Sequence, residues 1–222
     1  MEESTSRLIL FTRFPRVGQV KTRLVPALGA EGATALHRRL TEHALTQARQ
    51  LTRTRSVALL VHYAGGDPTR MAAWLGAGQE IRPQGEGDLG KRLERAFGEA
   101  FTAGYRSTVI MGSDCPELST EILAQAFDAL EGQDLVLGPA ADGGYYLIGL
   151  RRHVPQLFAG IPWGTAGVLA GTLEIAARLS LACHHLPMLA DVDRPEDLLR
   201  AHAFLTALPT DTSNRIIDAR PP

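Results

Sequence analysis

A chain of 222 residues is long enough to bury a full core in one large domain, and 45% hydrophobic content is ordinary for a globular protein. Its 23 basic and 24 acidic side chains leave a net charge of −1, so no long-range field invites nucleic acid or an anionic membrane. No apolar run approaches the roughly 20 residues of a bilayer span.

The acidic start MEESTSRLILFTRF holds an apolar run too short for a signal peptide. Within it, RLILF (7–11) reads as a first strand, followed by the basic loop TRFPRVGQVKTRLVPALG. Residues 30–51 carry Leu36, Leu40, Leu45, Ala48 and Leu51 on one helical stripe. SVALLVHY (56–63) is a continuous apolar run, as in a strand covered on both faces. DPTRMAAWLG opens with an Asp-Pro helix start, and QEIRPQ is a weak short strand. GDLGKRLERAFGEAFTAG predicts a helix with Leu89, Leu93, Ala96, Phe97 and Phe101 in step; STVIMG predicts a strand. STEILAQAFDAL is a helix with a partial capping box, and DLVLGP and GYYLIGL are two more strands. GTAGVLAGTLEIAARL is a helix, ACHHLP a strand, and RPEDLLRAHAFLTAL a final helix with Pro195 in its first turn.

This alternation predicts an α/β fold with a mostly parallel sheet. No linker, repeat or low-complexity block interrupts it, so residues 1–208 read as one domain, with a frayed polar tail at 209–222. Cys115 and Cys183 form no CxxC and no disulfide framework; free thiols in a cytoplasmic protein are expected.

Ligands of such sheets bind beyond the carboxyl ends of the strands. After the first strand, Arg13, Arg16, Lys21 and Arg23 stand in a loop broken by Pro15 and Gly18, a composition that wraps phosphates or simply faces solvent. After VIMGS comes Asp114, which either caps a helix near Pro116 or is a ligand. Asp142 precedes two glycines, as in a hairpin turn, yet a second glycine also admits close approach of a ligand. In LADVDRPEDL, Asp191 and Asp193 share one face if the segment is extended, or Asp193 caps the helix behind it. Acids at three strand ends opposite one basic loop suit a diphosphate held with Mg²⁺ or Mn²⁺.

Two motifs mislead. GEGDLGKR (85–92) matches G-x-G-x-x-G and most of a phosphate loop, but Arg92 stands where Ser or Thr should bind magnesium, and no buried strand precedes it. A Gly-rich turn at a helix N-terminus, its amides open to a base or ribose, fits better. Cys115 has no histidine or acid pattern of a nucleophile and reads as a buried thiol.

The blocks PRVGQVKTRLVPALG, GEGDLGKRLERAF, GSDCPELS, LGPAADGGYYLIGL and DVDRPEDL resemble, in that order, a family of small bacterial GT-A-type glycosyltransferases, in part linked to arsenosugar biosynthesis. The chain is also similar in layout to nucleotidyltransferases that make guanylylated phospholactate or molybdenum cofactors. The resemblance implies a three-layer α/β/α nucleotide-diphospho-sugar transferase fold. It implies nucleotide contacts from Thr12, Arg13, Lys21, Arg23, Gln84, Gly85, Asp88, Arg92 and Ser113, with Lys21 and Arg23 on the phosphates. Asp114 and Asp193, with Asp191, would bind Mg²⁺ or Mn²⁺, and Asp142, Gly143 and Gly144 would face donor or acceptor. A true DxD is absent, since Gly112 and Pro116 flank Asp114, and FTRFPRVG replaces the Ala-Ala-Gly start of sugar nucleotidyltransferases.

That replacement ranks glycosyl transfer from a nucleoside diphosphate sugar to a small acceptor first, with Asp142, Lys21 and Arg23 as catalytic residues. Nucleotidyl transfer from a nucleoside triphosphate to a phosphorylated acceptor, releasing pyrophosphate, is the alternative. A non-catalytic nucleotide-binding domain is the third reading.

Overall fold

The computed structural model describes residues 5–76, 78–199, 201 and 204. A seven-stranded sheet runs in the order β3-β2-β1-β4-β6-β5-β7. The strands are β1 (Ser6–Arg13), β2 (Val57–Ala64), β3 (Ile81–Pro83), β4 (Ser107–Met111), β5 (Leu135–Pro139), β6 (Tyr145–Leu150) and β7 (Cys183–His185). The helices are α1 (Val25–Thr54), α2 (Pro68–Leu75), α3 (Leu89–Thr102), α4 (Thr120–Ala129) and α5 (Val168–Arg178). Neighbouring strands pair in parallel except β6, which runs antiparallel to both β4 and β5.

The period-two alternation of each strand divides the core between two faces. Leu8 and Leu10 pack with Ala44, Leu45, Ala48 and Leu51 of α1, Met71 of α2 and Leu123 of α4. Ile9 and Phe11 face the other way, with Leu93 and Phe97 of α3 and Ile175 of α5. Three layers result, helices on both sides of one sheet. Leu89, expected in the α3 stripe, is 46% exposed in the first turn, whereas Phe97 is fully buried and stacks on Phe158.

Side-chain caps start three helices. Asp67 accepts from the Arg70 amide, Asp88 from the Lys91 amide, and Ser119 from the Ile122 amide. Each such cap contributes about 1 kcal/mol. Pro68 occupies the first turn of α2, where its missing N–H costs nothing. The first helix begins earlier than its apolar stripe suggests, at Val25, and is kinked by non-helical Gly29 (φ 70°). Pro195–Asp197 form one 3-10 turn, and Leu198, Leu199, Ala201 and Phe204 behind it are helical; the other residues of the expected final helix, and the tail, lie outside the described residues. No described helix is long and apolar enough to cross a membrane.

Candidate active site at the carboxyl rim

Two backbone ties bring the acidic loops together. The Val192 amide donates to the Asp114 carbonyl at 2.9 Å, anchoring the 189–193 segment beside the end of β4. The Ala141 amide donates to the Leu189 carbonyl at 2.9 Å, anchoring the same segment to the β5–β6 loop. Val192 is fully buried while Asp191 and Asp193 stay half-buried, as alternation along an extended segment requires. Acids from three loops therefore share one rim.

Lys21 enters from the loop after β1. Its side chain is only 4% exposed, and its ammonium lies 2.8 Å from Asp114 and 3.9 Å from Asp193. The contact is a close ion pair, and among the described residues Nζ makes no further hydrogen bond. Its backbone is left-handed (φ 47°, ψ 43°), held as the Leu24 amide donates to its carbonyl at 2.9 Å. Arg23 completes the chain of charges, donating to the second Asp193 oxygen at 2.6 Å. Asp114 and Asp193 are thus not helix caps: Ser119 caps α4, and the Asp197 carboxylate accepts the Asp193 and Arg194 amides.

Asp142 does form the turn its sequence suggested. Oδ1 accepts from the Gly144 amide at 2.8 Å, and Gly143 takes φ 89°. Gly143 is required there twice over, because an added Cβ would fall 2.3 Å from the Ala166 carbonyl oxygen. The pKa of Asp191 is raised first by burial and next by the neighbouring Asp142 charge; Asp114 adds to the shift, and Lys21 opposes it. This acid pressure suits a hard divalent cation. Among the described residues, no three acid, histidine or cysteine side chains yet stand close enough to hold one.

The nucleotide candidates divide by role. Arg13 and Arg92 join Phe14, Arg16, Val20 and Gly66 around a cavity of about 170 Å³. That is below the roughly 300 Å³ of a complete small-molecule pocket, and fits one phosphate or one sugar. Gln84 is buried, its amide donating to the Thr12 and His62 carbonyls at 3.1 and 3.0 Å, so it fastens strand ends together. The Thr12 hydroxyl meets that of Thr41, and Ser113 is buried. Gly85 and Asp88 are exposed, Asp88 as the cap of α3. Gly90 is a packing glycine: a Cβ there would sit 2.4 Å from Trp163 Nε1. A larger cavity, about 440 Å³, lies at the amino ends of β1, β2 and β4 among Arg55, Arg106, Ser107 and Arg151, away from every candidate acid.

Sequence reasoning missed two organising side chains. Arg95 donates to the Gln84 and Glu86 carbonyls at 2.7 and 3.0 Å, shaping the Gly-rich turn. His37 pairs through Nε2 with the Arg13 carbonyl at 2.9 Å, and its pKa is lowered mainly by burial. Arg95 lies within the block GEGDLGKRLERAF without a role read for it, and His37 lies in no motif, so only three-dimensional proximity reveals their contacts. Cys115 is buried, and desolvation followed by the Asp114 charge pushes its thiol far up.

Known proteins resemble this chain in sequence and in fold. Residues 46–165 match the family described as "Uncharacterized protein conserved in bacteria (DUF2064)". The phosphoenolpyruvate guanylyltransferase of Chloroflexus aggregans is 30% identical, covering 74% of this chain and 83% of that protein. The enzyme of the same name from Chloroflexus aurantiacus is 29% identical over 82% of this chain and 88% of its own. A crystal structure described as a nucleotide-diphospho-sugar transferase from Desulfovibrio desulfuricans G20 superposes with a TM-score of 0.84 at 36% identity, covering 91% of this chain and 94% of that one.

Proposed function

The chain belongs to the bacterial family DUF2064, and from that membership and the charged rim we propose that it is a nucleotidyltransferase acting on a small phosphorylated acceptor. The names of the Chloroflexus relatives support this ranking over glycosyl transfer and point to a guanosine nucleotide and a phosphoenolpyruvate-like acceptor. It reverses the order drawn from the missing Ala-Ala-Gly start. Residues 1–208 are taken as one catalytic domain.

The observation that carries the proposal is the unbroken run Asp114–Lys21–Asp193–Arg23 beside an arginine-lined cavity. The nucleoside lies toward the Gly85–Arg92 turn, and the triphosphate lies toward Arg13, Arg16, Lys21 and Arg23. A phosphate oxygen of the acceptor attacks the α-phosphorus. The bond from that phosphorus to the bridging oxygen breaks, and pyrophosphate leaves with the bonding electron pair. Lys21 and Arg23 offset the charge that gathers on the leaving group. An ionised phosphate nucleophile needs no general base, so Asp142 shapes the acceptor side through its turn. Asp114, Asp191 and Asp193 would hold Mg²⁺ or Mn²⁺, which supplies further charge neutralisation when bound.

Glycosyl transfer remains the second reading, favoured by the description of the 36%-identical structure. One assay separates them. The protein is incubated with each nucleoside triphosphate, Mn²⁺ and phosphoenolpyruvate, and in parallel with nucleoside diphosphate sugars. Acceptor-dependent pyrophosphate release is expected; release of nucleoside diphosphate from a sugar nucleotide, without pyrophosphate chemistry, overturns the proposal.

A further inference from the structure

The geometry points to a second anion site, at the end of the sheet opposite the acid rim: a basin that takes a small phosphomonoester. It stands independently of the nucleotidyl-transfer reading.

The sheet itself builds the basin. Ser6 of β1 pairs with Val57 of β2 on one side and with Ser107 of β4 on the other. Thr108 pairs with Leu150 of β6, so Arg151 falls next to Ser107 as the antiparallel strand leaves the sheet. Neighbouring strands thus bring Arg55, Arg106 and Arg151, from three separate connections, to one concavity of about 440 Å³. The Arg106 amide donates to the Thr5 carbonyl at 2.7 Å, and the Ser6 and Ser107 hydroxyls lie 2.8 Å apart. Phe127 and Leu130, at the end of α4, add apolar surface to the lining.

The charge there is out of keeping with the chain. The whole protein carries −1, yet the basin is lined by three arginines and a single acid, Glu131. Arg55 is already paired with Asp128. Arg152, the neighbour of Arg151, has its own acid, Asp134 at 3.5 Å. The Arg106 and Arg151 side chains make no ion pair or hydrogen bond among the described residues.

Two guanidinium forks without an acid, with serine hydroxyls beside them, match the oxygens of a phosphate group, which arginine grips bidentately. The volume exceeds one phosphate and falls at the small end of ordinary ligand pockets. Phe127 and Leu130 give a short carbon body a surface to rest on. A phosphomonoester satisfies both parts. The competing account has these arginines solvated, merely complementing the carboxyl ends of α1 and α4; such side chains would not be shielded by a ligand.

Phenylglyoxal labelling of the full-length protein, mapped by peptide mass spectrometry, reads each arginine separately. It is run alone and with glycerol 3-phosphate, inorganic phosphate or sulfate at equal ionic strength. Glycerol 3-phosphate is expected to slow labelling of Arg106 and Arg151 at least about fivefold near saturation, following 1 + [L]/Kd, and to leave exposed Arg178 unchanged. Protection confined to Arg13 and Arg16 overturns the basin, because the phosphate then enters only the rim. Equal protection by sulfate overturns it too, as a non-selective cationic surface. Inorganic phosphate protecting as well as the ester overturns the ester and leaves free phosphate as the ligand. In calorimetry, Arg106→Gln combined with Arg151→Gln is expected to bind one fewer glycerol 3-phosphate per chain while melting within about 2 °C of wild type. An unchanged count refutes the site, and the labelling map decides alone if the double variant does not fold.

Discussion

The Leu169 amide donates to the Gly143 carbonyl at 2.9 Å, tying the first turn of α5 to the loop that carries Asp142. Gly143 lies flush against the Ala166 backbone with φ 89°. Replacing it by alanine forces both a left-handed side-chain residue and a backbone clash. Gly143→Ala is expected to lose about 2–4 kcal/mol in urea unfolding and most acceptor-dependent turnover. Wild-type stability in that variant would refute the tight fit.

Asp114 supplies an acid without closing a helix. Its side chain is 49% exposed, so Asp114→Asn is expected to shift the melting temperature by no more than about 2–4 °C, equivalent to about 1 kcal/mol. Metal-dependent nucleotide binding, followed calorimetrically, should fall at least about tenfold, the effect of about 1.4 kcal/mol. A large loss of stability with intact binding would return Asp114 to a structural role.

His62 is buried, stacked on Phe11 at 5.5 Å, with neither ring nitrogen hydrogen-bonded among the described residues. Burial, then Arg82 and Arg7, lower its pKa to about 4, against a small opposing effect of Glu80. The unfolded chain therefore takes up this proton first as pH falls below about 6.5, and stability drops progressively down to about pH 4. The loss from His62 is about 3 kcal/mol across that window. His37 and His43, also shifted downward chiefly by burial, add in the same direction. His62→Phe should keep the stacking and flatten the acid limb of a stability–pH curve; an unchanged slope would count against it.

The thiols should be nearly inert in the native state. Burial raises the Cys183 pKa to about 11, which leaves about a thousandth as thiolate at pH 8. Cys115 is shifted further and is buried. Titration with an aromatic disulfide reagent at pH 8 should be slow for both and become rapid in urea. Fast stoichiometric labelling of Cys115 would contradict its placement.

Much of the fold was legible because strands covered on both faces read as apolar runs and helices as stripes. Strand direction was less so: apolarity carries no polarity of the chain, and only Asp142-Gly143-Gly144 hinted that β6 reverses. The rim acids were visible as residues at strand ends. Their union with Lys21 was not, since it depends on the Val192–Asp114 backbone bond and a left-handed lysine. Local rules also misassigned Leu89, whose place in the first turn turns it outward.

The reversed strand also bears on how the chain acquires its shape. The β5–β6 loop, between Pro139 and Tyr145, closes a hairpin, whereas the other successive strands are joined through helical crossovers. Loop closure costs least entropy over the shortest span, so this hairpin is the cheapest pairing with which sheet formation can begin. The turn expected to meet substrate is therefore also an early kinetic checkpoint. Changes that retune it for a new acceptor would carry a penalty in folding rate before any penalty in turnover.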